Sequence, residues 1–455
     1  MREIRRRIAL DPGTTDGWSV LGAEALNEGT AGALGWLTRA AAIDPGAGAV
    51  RANLGEALRR SGATAAAVAQ LSMATRLAPM LAEAHGNLGL AEIVFERLEA
   101  GARSLRRAIV LDPASVAWLK SLADALSEVL ALSESERWAR RAIAVDPADA
   151  ETHFNLSWTL LAAGDYALGW REYEWRLFLS EATPARRAPG RLWNGELLDG
   201  AAIRLLAEQG YGDTLQFARF ADGVARRGGI VVAESRQELA GLVATVPGVA
   251  RTVEPEEPSV DCVWHVPMTS LPSIFGTLLS DLPGPMPYMS PPADRVAVWR
   301  GRLAPQAGLR VGLCWRGNPQ QASDVRRSPG LSTMRPLFDV DNVSLIGLVK
   351  QPAPGEDTSR LALDGGPDLR DFSETAAVLA NLDLVITSDT SVAHLAGALG
   401  RPVWILLCHA PDWRWMVGRD DSPWYPSARL YRQATRGAWG PAIERVARDL
   451  RALAS

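Results

Sequence analysis

Cysteine is scarce in this chain: Cys262, Cys314 and Cys408 are the three among 455 residues, far apart and without a Cys-x-x-Cys pair. That spacing argues against a disulfide framework or a cysteine zinc site, and it suits a reducing compartment. The five histidines show no His-Glu-x-x-His spacing, so the helical zinc-hydrolase pattern is missing too. Charge of one sign is not in excess, because 48 Lys and Arg against 52 Asp and Glu leave −4. A broadly basic nucleic-acid binder is thereby disfavoured. No run approaches the ~18 apolar residues that span a bilayer. Met1–Arg7 leads into Ala-Leu-Asp-Pro rather than a long apolar stretch, so no signal peptide is expected. These absences predict a cytoplasmic protein with no membrane span and no nucleic-acid partner. What is present is ample apolar content, 47%, and a length that suggests two to four domains at about 100–200 residues each.

Before about residue 178 the sequence is rich in Ala, Leu and Arg and repeats itself. Pro12, Pro45, Pro79, Pro113 and Pro147 are spaced by 33 and then by 34 residues, with Leu21-Gly22, Leu54-Gly55, Leu88-Gly89, Leu122-Ala123 and Leu156-Ser157 in the same register. Small residues recur late in each unit at Ala41, Ala74, Ala108 and Ala142. The pattern predicts two antiparallel helices per unit, close together at the small residues and ended by the proline. The spacing resembles the tetratricopeptide repeat, with about five units and residues 2–10 as the second helix of an incomplete earlier one. One helix pair cannot bury its apolar face, so stacking supplies the core and leaves a groove. That groove suits an extended protein segment, although a plain structural spacer has the same pattern.

The aromatics of Tyr166 and of Trp170-Arg171-Glu172-Tyr173-Glu174-Trp175 are too many for a free solenoid end and predict a buried hinge onto the next domain. Pro184, Pro189, Gly190, Gly195 and Gly200 predict a connecting loop. Beyond residue 200, short apolar runs alternate with helices. Strands are expected at Ile203–Ala207, Ile230–Ala233, Ala250–Val253 and Cys262–Val266, with helices at 213–227 and 236–245. After a proline-rich linker (Pro283, Pro285, Pro287, Pro291, Pro292) a second set follows. Its strands are expected at Arg310–Trp315, Val343–Val349, Leu382–Thr387 and Val403–Leu407, with helices near 373–380, 391–399 and 440–453. Such alternation implies parallel sheets with helices on both faces. The predicted fold class is α + α/β: repeats over 1–178, a linker over 179–200, and Rossmann-like domains over 201–292 and 293–455.

Two stretches carry chemistry. Glu208-Gln209-Gly210-Tyr211-Gly212-Asp213 follows a strand and opens a helix, where glycines allow close backbone approach. Asp213 reads either as a functional carboxylate or as a helix cap. Residues 384–404 run strand, polar turn, helix and strand, with Asp389, Thr390 and Ser391 at the helix start. Free amides and the dipole there attract anions. His394, four residues after Thr390, projects on the same face. An ordinary capped helix with a core histidine is the alternative.

Together with Trp315-Arg316-Gly317-Asn318-Pro319, Asp324, Arg327-Ser328, Asp412-Trp413-Arg414-Trp415, the run from Gly418 to Pro426 and Arg432-Gln433, these stretches resemble bacterial tetratricopeptide-repeat glycosyltransferases. Their catalytic half is similar to the heptosyltransferase type (family 9) and more distantly to O-GlcNAc transferase. The resemblance covers nearly the whole chain. It implies a GT-B type pair of Rossmann-like domains, acceptor in the first and nucleotide-sugar donor in the second. It also implies inversion without a bound metal or other cofactor. On that resemblance Asp213 is the general base, with Gln209, Gly210 and Gly212 forming the acceptor-side loop. Thr390, Ser391, His394, Lys350 and Asp389 bind the donor, and so do Arg327, Ser328, Trp315 and Asn318. Arg316 is a phosphate clamp or a solvated residue.

The chain departs from the family pattern at Gln321, where a histidine is usual, at Ser323 before Asp324, and at Gly347 and Val349, where Ser and Gln are usual. Those changes leave the donor open and admit a weakened enzyme. Asp339-Val340-Asp341 matches a metal-binding motif of another fold but sits where a loop is expected. Arg5-Arg6-Arg7 reads as a solvated helix face, and Trp413, Trp415 and Trp424 either stack on a ligand or pack against the terminal helix. The leading expectation is sugar transfer from a nucleotide to a Ser or Thr hydroxyl of a protein held by the repeats, with flagellin the first candidate. A non-catalytic adaptor, or a transferase for glycan or lipid-linked acceptors, are the alternatives.

Overall fold

A computed structural model describes residues 13–179, 190–258, 261–282, 284, 286–321 and 324–455. Expectations for residues 2–10, Pro12, Pro184, Pro189, Pro283, Pro285 and Ser323 fall outside the described residues. The chain divides into two compact units, Met1–Thr159 and Leu160–Ser455.

The first unit is built of antiparallel helix pairs: Thr15–Glu28 with Ala33–Ile43, Gly48–Arg60 with Thr64–Leu77, Ala82–Val94 with Leu98–Leu111, and Val116–Glu128 with Leu132–Val145. The Leu-Gly register has a packing cause. A Cβ on Gly55 would lie 2.4 Å from Leu71 Cγ, and one on Gly89 would lie 2.7 Å from Leu105 Cγ. The bare backbone of the first helix thus admits the buried leucine of the second. The recurrent Asp-Pro has one as well. Asp44 Oδ1 accepts from the Gly46 amide at 2.9 Å, and Asp146 Oδ1 from the Ala148 amide at 3.0 Å. These are turns that the following proline reinforces. Ala102, Leu105, Ile109, Trp118, Leu119 and Leu122 form one of the stacked cores.

The second unit begins earlier than the expected boundary at 178. The helix Tyr166–Tyr173 buries Tyr166, Trp170 and Tyr173, and these rings pack with the α/β part. Trp170 lies 5.2 Å from Trp413 and 6.2 Å from Phe217, and Trp424 Nε1 donates to Tyr166 at 2.8 Å. Two all-parallel sheets follow. The first runs β1-β5-β2-β3-β4, from β1 (Arg191–Leu192), β2 (Ala202–Leu206), β3 (Ile230–Glu234), β4 (Val249–Val253) and β5 (Trp264–Pro267). The second runs β11-β10-β9-β6-β7-β8, from β6 (Leu309–Cys314), β7 (Val343–Gly347), β8 (Leu363–Asp364), β9 (Leu384–Ser388), β10 (Val403–Leu407) and β11 (Ala428–Arg432). The central strands are largely apolar, as suits parallel strands covered on both faces, though β2 carries the buried Arg204, whose Nε donates to Glu234 of β3 at 2.6 Å.

Three expectations are corrected. Part of the supposed 179–200 loop is β1, which pairs with β5. The helix expected over 213–227 is broken into Tyr211–Phe217, a 3₁₀ turn at Ala218–Phe220 and Ala221–Ala225. The linker after β5 is packed at Tyr288, which is buried, its hydroxyl donating to Leu215 O at 2.9 Å and its amide to Ala398 O at 3.1 Å. Among the described residues, no helix is long and apolar enough to cross a membrane.

Candidate active site

The carboxyl ends of β2, β6, β7 and β9 open onto one cavity of about 870 Å³. Crevices at the carboxyl ends of parallel strands are where open α/β sheets bind ligands. One wall is the loop Glu208–Gly212 with Asp213 behind it, and the other carries Arg316, Asn318, Arg327, Lys350, Ser391 and His394. Most of the sequence-predicted site residues therefore converge from both sheets, Trp315 and Ser328 excepted.

Asp213 is the third residue of the helix Tyr211–Phe217. Its Oδ2 accepts from the Gly210 amide at 2.9 Å, and its Oδ1 is ion-paired with Arg414. Asp213 is not the N-cap, which is Gly210, but from the third helical position its carboxylate braces the helix start and also lines the cavity. Burial raises its pKa, Arg414 opposes the rise and Asp412 adds to it. Gln209 Nε2 donates to the Tyr173 hydroxyl at 2.9 Å, which fastens the loop from behind. Burial pushes Tyr173 up to about 12.

Thr390 is the N-cap of the helix Ser391–Ala398, and its hydroxyl accepts from the Val392 amide at 3.3 Å. It also meets Thr387 Oγ1 at 3.2 Å. Its hydroxyl is thus committed to the helix, while the turn as a whole presents Asp389, Thr390 and Ser391 to the cavity. Asp389 is pushed up to about 6, first by burial and then by Asp412. His394 is buried, with Nδ1 2.9 Å from the Tyr425 hydroxyl and its ring stacked on Trp415 at 5.3 Å. Burial, then Arg414, Arg219 and Arg327, hold its pKa well below the usual histidine value. The imidazole is neutral and contributes no charge to anion binding.

Lys350 follows β7, exposed, with Nζ 3.3 Å from Arg370 O. Arg327 pairs with Gln321 and lies 3.5 Å from Asp324, so the glutamine that stands where the family has histidine tethers a cation at the cavity wall. A Cβ on Gly347 would lie 2.8 Å from Leu361 Cδ1, so a serine there would require that side chain to move. Arg316 lines the cavity 3.9 Å from Glu356.

Two expected donor-binding residues are not on the wall. Trp315 is wholly buried and donates from Nε1 to Glu356 at 3.0 Å. Ser328 donates to Asp324 Oδ1 at 2.9 Å and accepts from the Gly317 amide at 3.2 Å. Both shape the turn that carries Arg316 and Asn318. Trp413, Trp415 and Trp424 are also buried, and their ring contacts include Trp170, Tyr166 and His394. Asp339–Asp341 joins a 3₁₀ helix to β7, a connecting position as expected.

Sequence reasoning assigned no role to Arg414, Asp412 or Arg176. Arg414 was visible in Asp-Trp-Arg-Trp, but its partners Asp213 and Gln216 are about two hundred residues away in sequence. Arg176 donates to both carboxylate oxygens of Glu208, at 2.9 and 3.1 Å, and to Ser270 Oγ at 2.7 Å. No local signal marked it. Among the described residues, no group of three or more His, Cys, Asp or Glu is arranged to hold a metal ion.

Residues 369–433, which include the helix start at Ser391, match the sequence model of glycosyltransferase family 9 (heptosyltransferase). The chain is 30% identical over 328 residues to Protein FlbA of Caulobacter vibrioides; the match takes in 65% of this chain and 54% of FlbA. The chain thus spans about half the length of that curated relative. The helical part is similar to the crystal structure of the MamA protein, at 18% identity and a TM-score of 0.33 over 36% of this chain and 90% of that one. It is similar also to YrrB, described as a TPR protein with an unusual peptide-binding site, at 14% identity and a TM-score of 0.34 over 39% of this chain and 92% of that one. With its 34-residue helix pairs and its match over residues 369–433, the chain is similar to a tetratricopeptide-repeat protein joined to a family 9 glycosyltransferase-like part.

Proposed function

We propose that the protein transfers a sugar from a nucleotide-sugar donor to a Ser or Thr hydroxyl of a protein acceptor in the cytoplasm, by inversion and without a metal. The observation that carries this reading is the meeting, in one cavity, of a carboxylate on the first sheet and a helix N-terminus flanked by cations on the second. The acceptor oxygen attacks the anomeric carbon while the bond from that carbon to the diphosphate oxygen breaks. Asp213 takes the hydroxyl proton, a contribution of typically ~10²–10⁴ in rate. The leaving diphosphate gathers negative charge, which the amides at Ser391 and the cations Lys350 and Arg327 stabilise. The repeats hold the acceptor protein, and flagellin is the first candidate.

The test offers UDP-, GDP-, ADP- and CMP-sugars with candidate acceptor proteins and follows the added sugar mass by mass spectrometry. Transfer that Asp213→Ala abolishes supports the reading. Normal transfer by that variant removes Asp213 as the base. An unchanged melting temperature with all four nucleotides would favour an adaptor that binds no donor.

A further inference from the structure

We propose that Arg414 is the positioning residue for Asp213, a fork that fixes the carboxylate of the first sheet against the second. This rests on the reading of Asp213 as the base. Every arm of the guanidinium is engaged. Nε donates to Gln216 Oε1 at 2.6 Å, Nη1 to both Asp412 oxygens at 2.9 and 3.0 Å, and Nη2 to Asp213. Asp412 in turn accepts from the Arg414 amide at 3.0 Å, so its carboxylate is fixed by the same residue it orients. The guanidinium lies 4.3 Å from the Trp413 ring centroid and 5.6 Å from that of Phe217. It therefore has one orientation, and the planar fork transmits it to Asp213.

The electrostatics demand such a partner. Asp213 faces Asp412 and Tyr173, with Asp389 beside Asp412 and the neutral imidazole of His394 across Gly212. Burial and Asp412 both favour the protonated acid there, and Arg414 is the cation that opposes them. Without it, burial and Asp412 would shift Asp213 further toward its protonated form, which accepts no proton from a hydroxyl.

A purely structural arginine and a positioning arginine part company in pH dependence. With the donor found in the four-nucleotide panel, Arg414→Met is expected to move the acidic limb of the kcat/KM profile up by about one pH unit or more, within the 1–3 units typical of an adjacent charge. Arg414→Lys is expected to leave the limb near its original pH while lowering kcat. Asp412→Asn, which keeps the fork and removes the negative neighbour, moves the limb down. A limb that stays fixed in both Arg414→Met and Asp412→Asn overturns the proposal, and if Arg414→Met does not fold, the Asp412→Asn limb decides alone. A readout without substrate exists. Urea unfolding of wild type and Arg414→Met should show a stability gap that widens from pH 5 to pH 7, because a further raised Asp213 loses stability as pH climbs. That widening should shrink in an Asp213→Asn background; an equal, pH-independent gap in both backgrounds sinks the proposal. Full transfer by Asp213→Asn would instead refute the base assignment and leave the contact itself untouched.

Discussion

Gly212 and His394 meet across the cavity. A Cβ at position 212 would lie 2.8 Å from His394 Cδ2 and 3.4 Å from Nε2. The imidazole is not free to yield, being stacked on Trp415 and bonded to the Tyr425 hydroxyl. Gly212→Ala must displace either the ring or the helix start that carries Asp213. Overpacking of this kind costs about 1–3 kcal/mol. Transfer should fall at least about tenfold, since small misplacements of reacting groups are costly. Thermal melts and a turnover assay check both; an alanine variant with wild-type values in each would show that the contact is slack.

His394 gives a pH prediction with a definite sign. Its folded pKa is held well below the usual value of about 6.5, so below that pH the unfolded chain takes up a proton that the folded protein refuses. The histidine therefore costs stability as pH falls below about 6.5. Asp389 acts the other way, because its pKa, pushed up to about 6, lets the folded protein bind the proton first. His394→Gln removes only the first effect. Compared by urea unfolding, the variant should be less stable than wild type at pH 8 and lose less stability between pH 7 and pH 5. Parallel curves would mean that His394 is charged in the folded protein.

Arg176 and Glu208 form a buried pair whose side chains are 3% and 2% exposed, behind the loop that leads to Gly210. Removing one charge strands the other. Arg176→Met should cost about 3–5 kcal/mol, while the double variant Arg176→Met with Glu208→Gln should recover much of it. Denaturant midpoints of the three proteins decide it, and equal losses in the single and double variants would contradict the pairing.

The sequence announced the parts of this site more readily than the contacts that tune it. The repeat register was legible because Gly55 and Gly89 each exist to admit a leucine at a fixed spacing, and β10 at Val403–Leu407 fell where an apolar run stood between a Gly-stop and a loop. Thr390 as helix start followed from local chemistry in the same way. Trp315 was misplaced on the wall because an aromatic beside a polar turn has the same local appearance whether it faces the cavity or, as here, the core. β1 has two residues and exists through its pairing with β5, so composition alone offered no trace of it. Arg414, Gln216 and Asp213 lie close only after the two sheets face one another. Long-range polar contacts of that kind leave no period in a sequence.

Thr390 allows the anion-binding end of the site to be separated from the base. Its hydroxyl caps the helix Ser391–Ala398 by accepting from Val392 N. Thr390→Val keeps the shape, removes the acceptor and should cost about 1 kcal/mol, the usual loss for a helix cap. Valine cannot hold the first turn through a side-chain bond, so the amides that would meet a diphosphate lose their fixed direction, and nucleoside diphosphate binding should weaken about tenfold. Asp213→Asn, on the opposite wall, should leave that affinity within about twofold of wild type while transfer disappears. Calorimetric titration of both variants with UDP, GDP, ADP and CDP separates the two ends. Equal weakening by both substitutions would place the nucleotide against Asp213, and that would exclude the division of labour between the sheets on which the transfer mechanism depends.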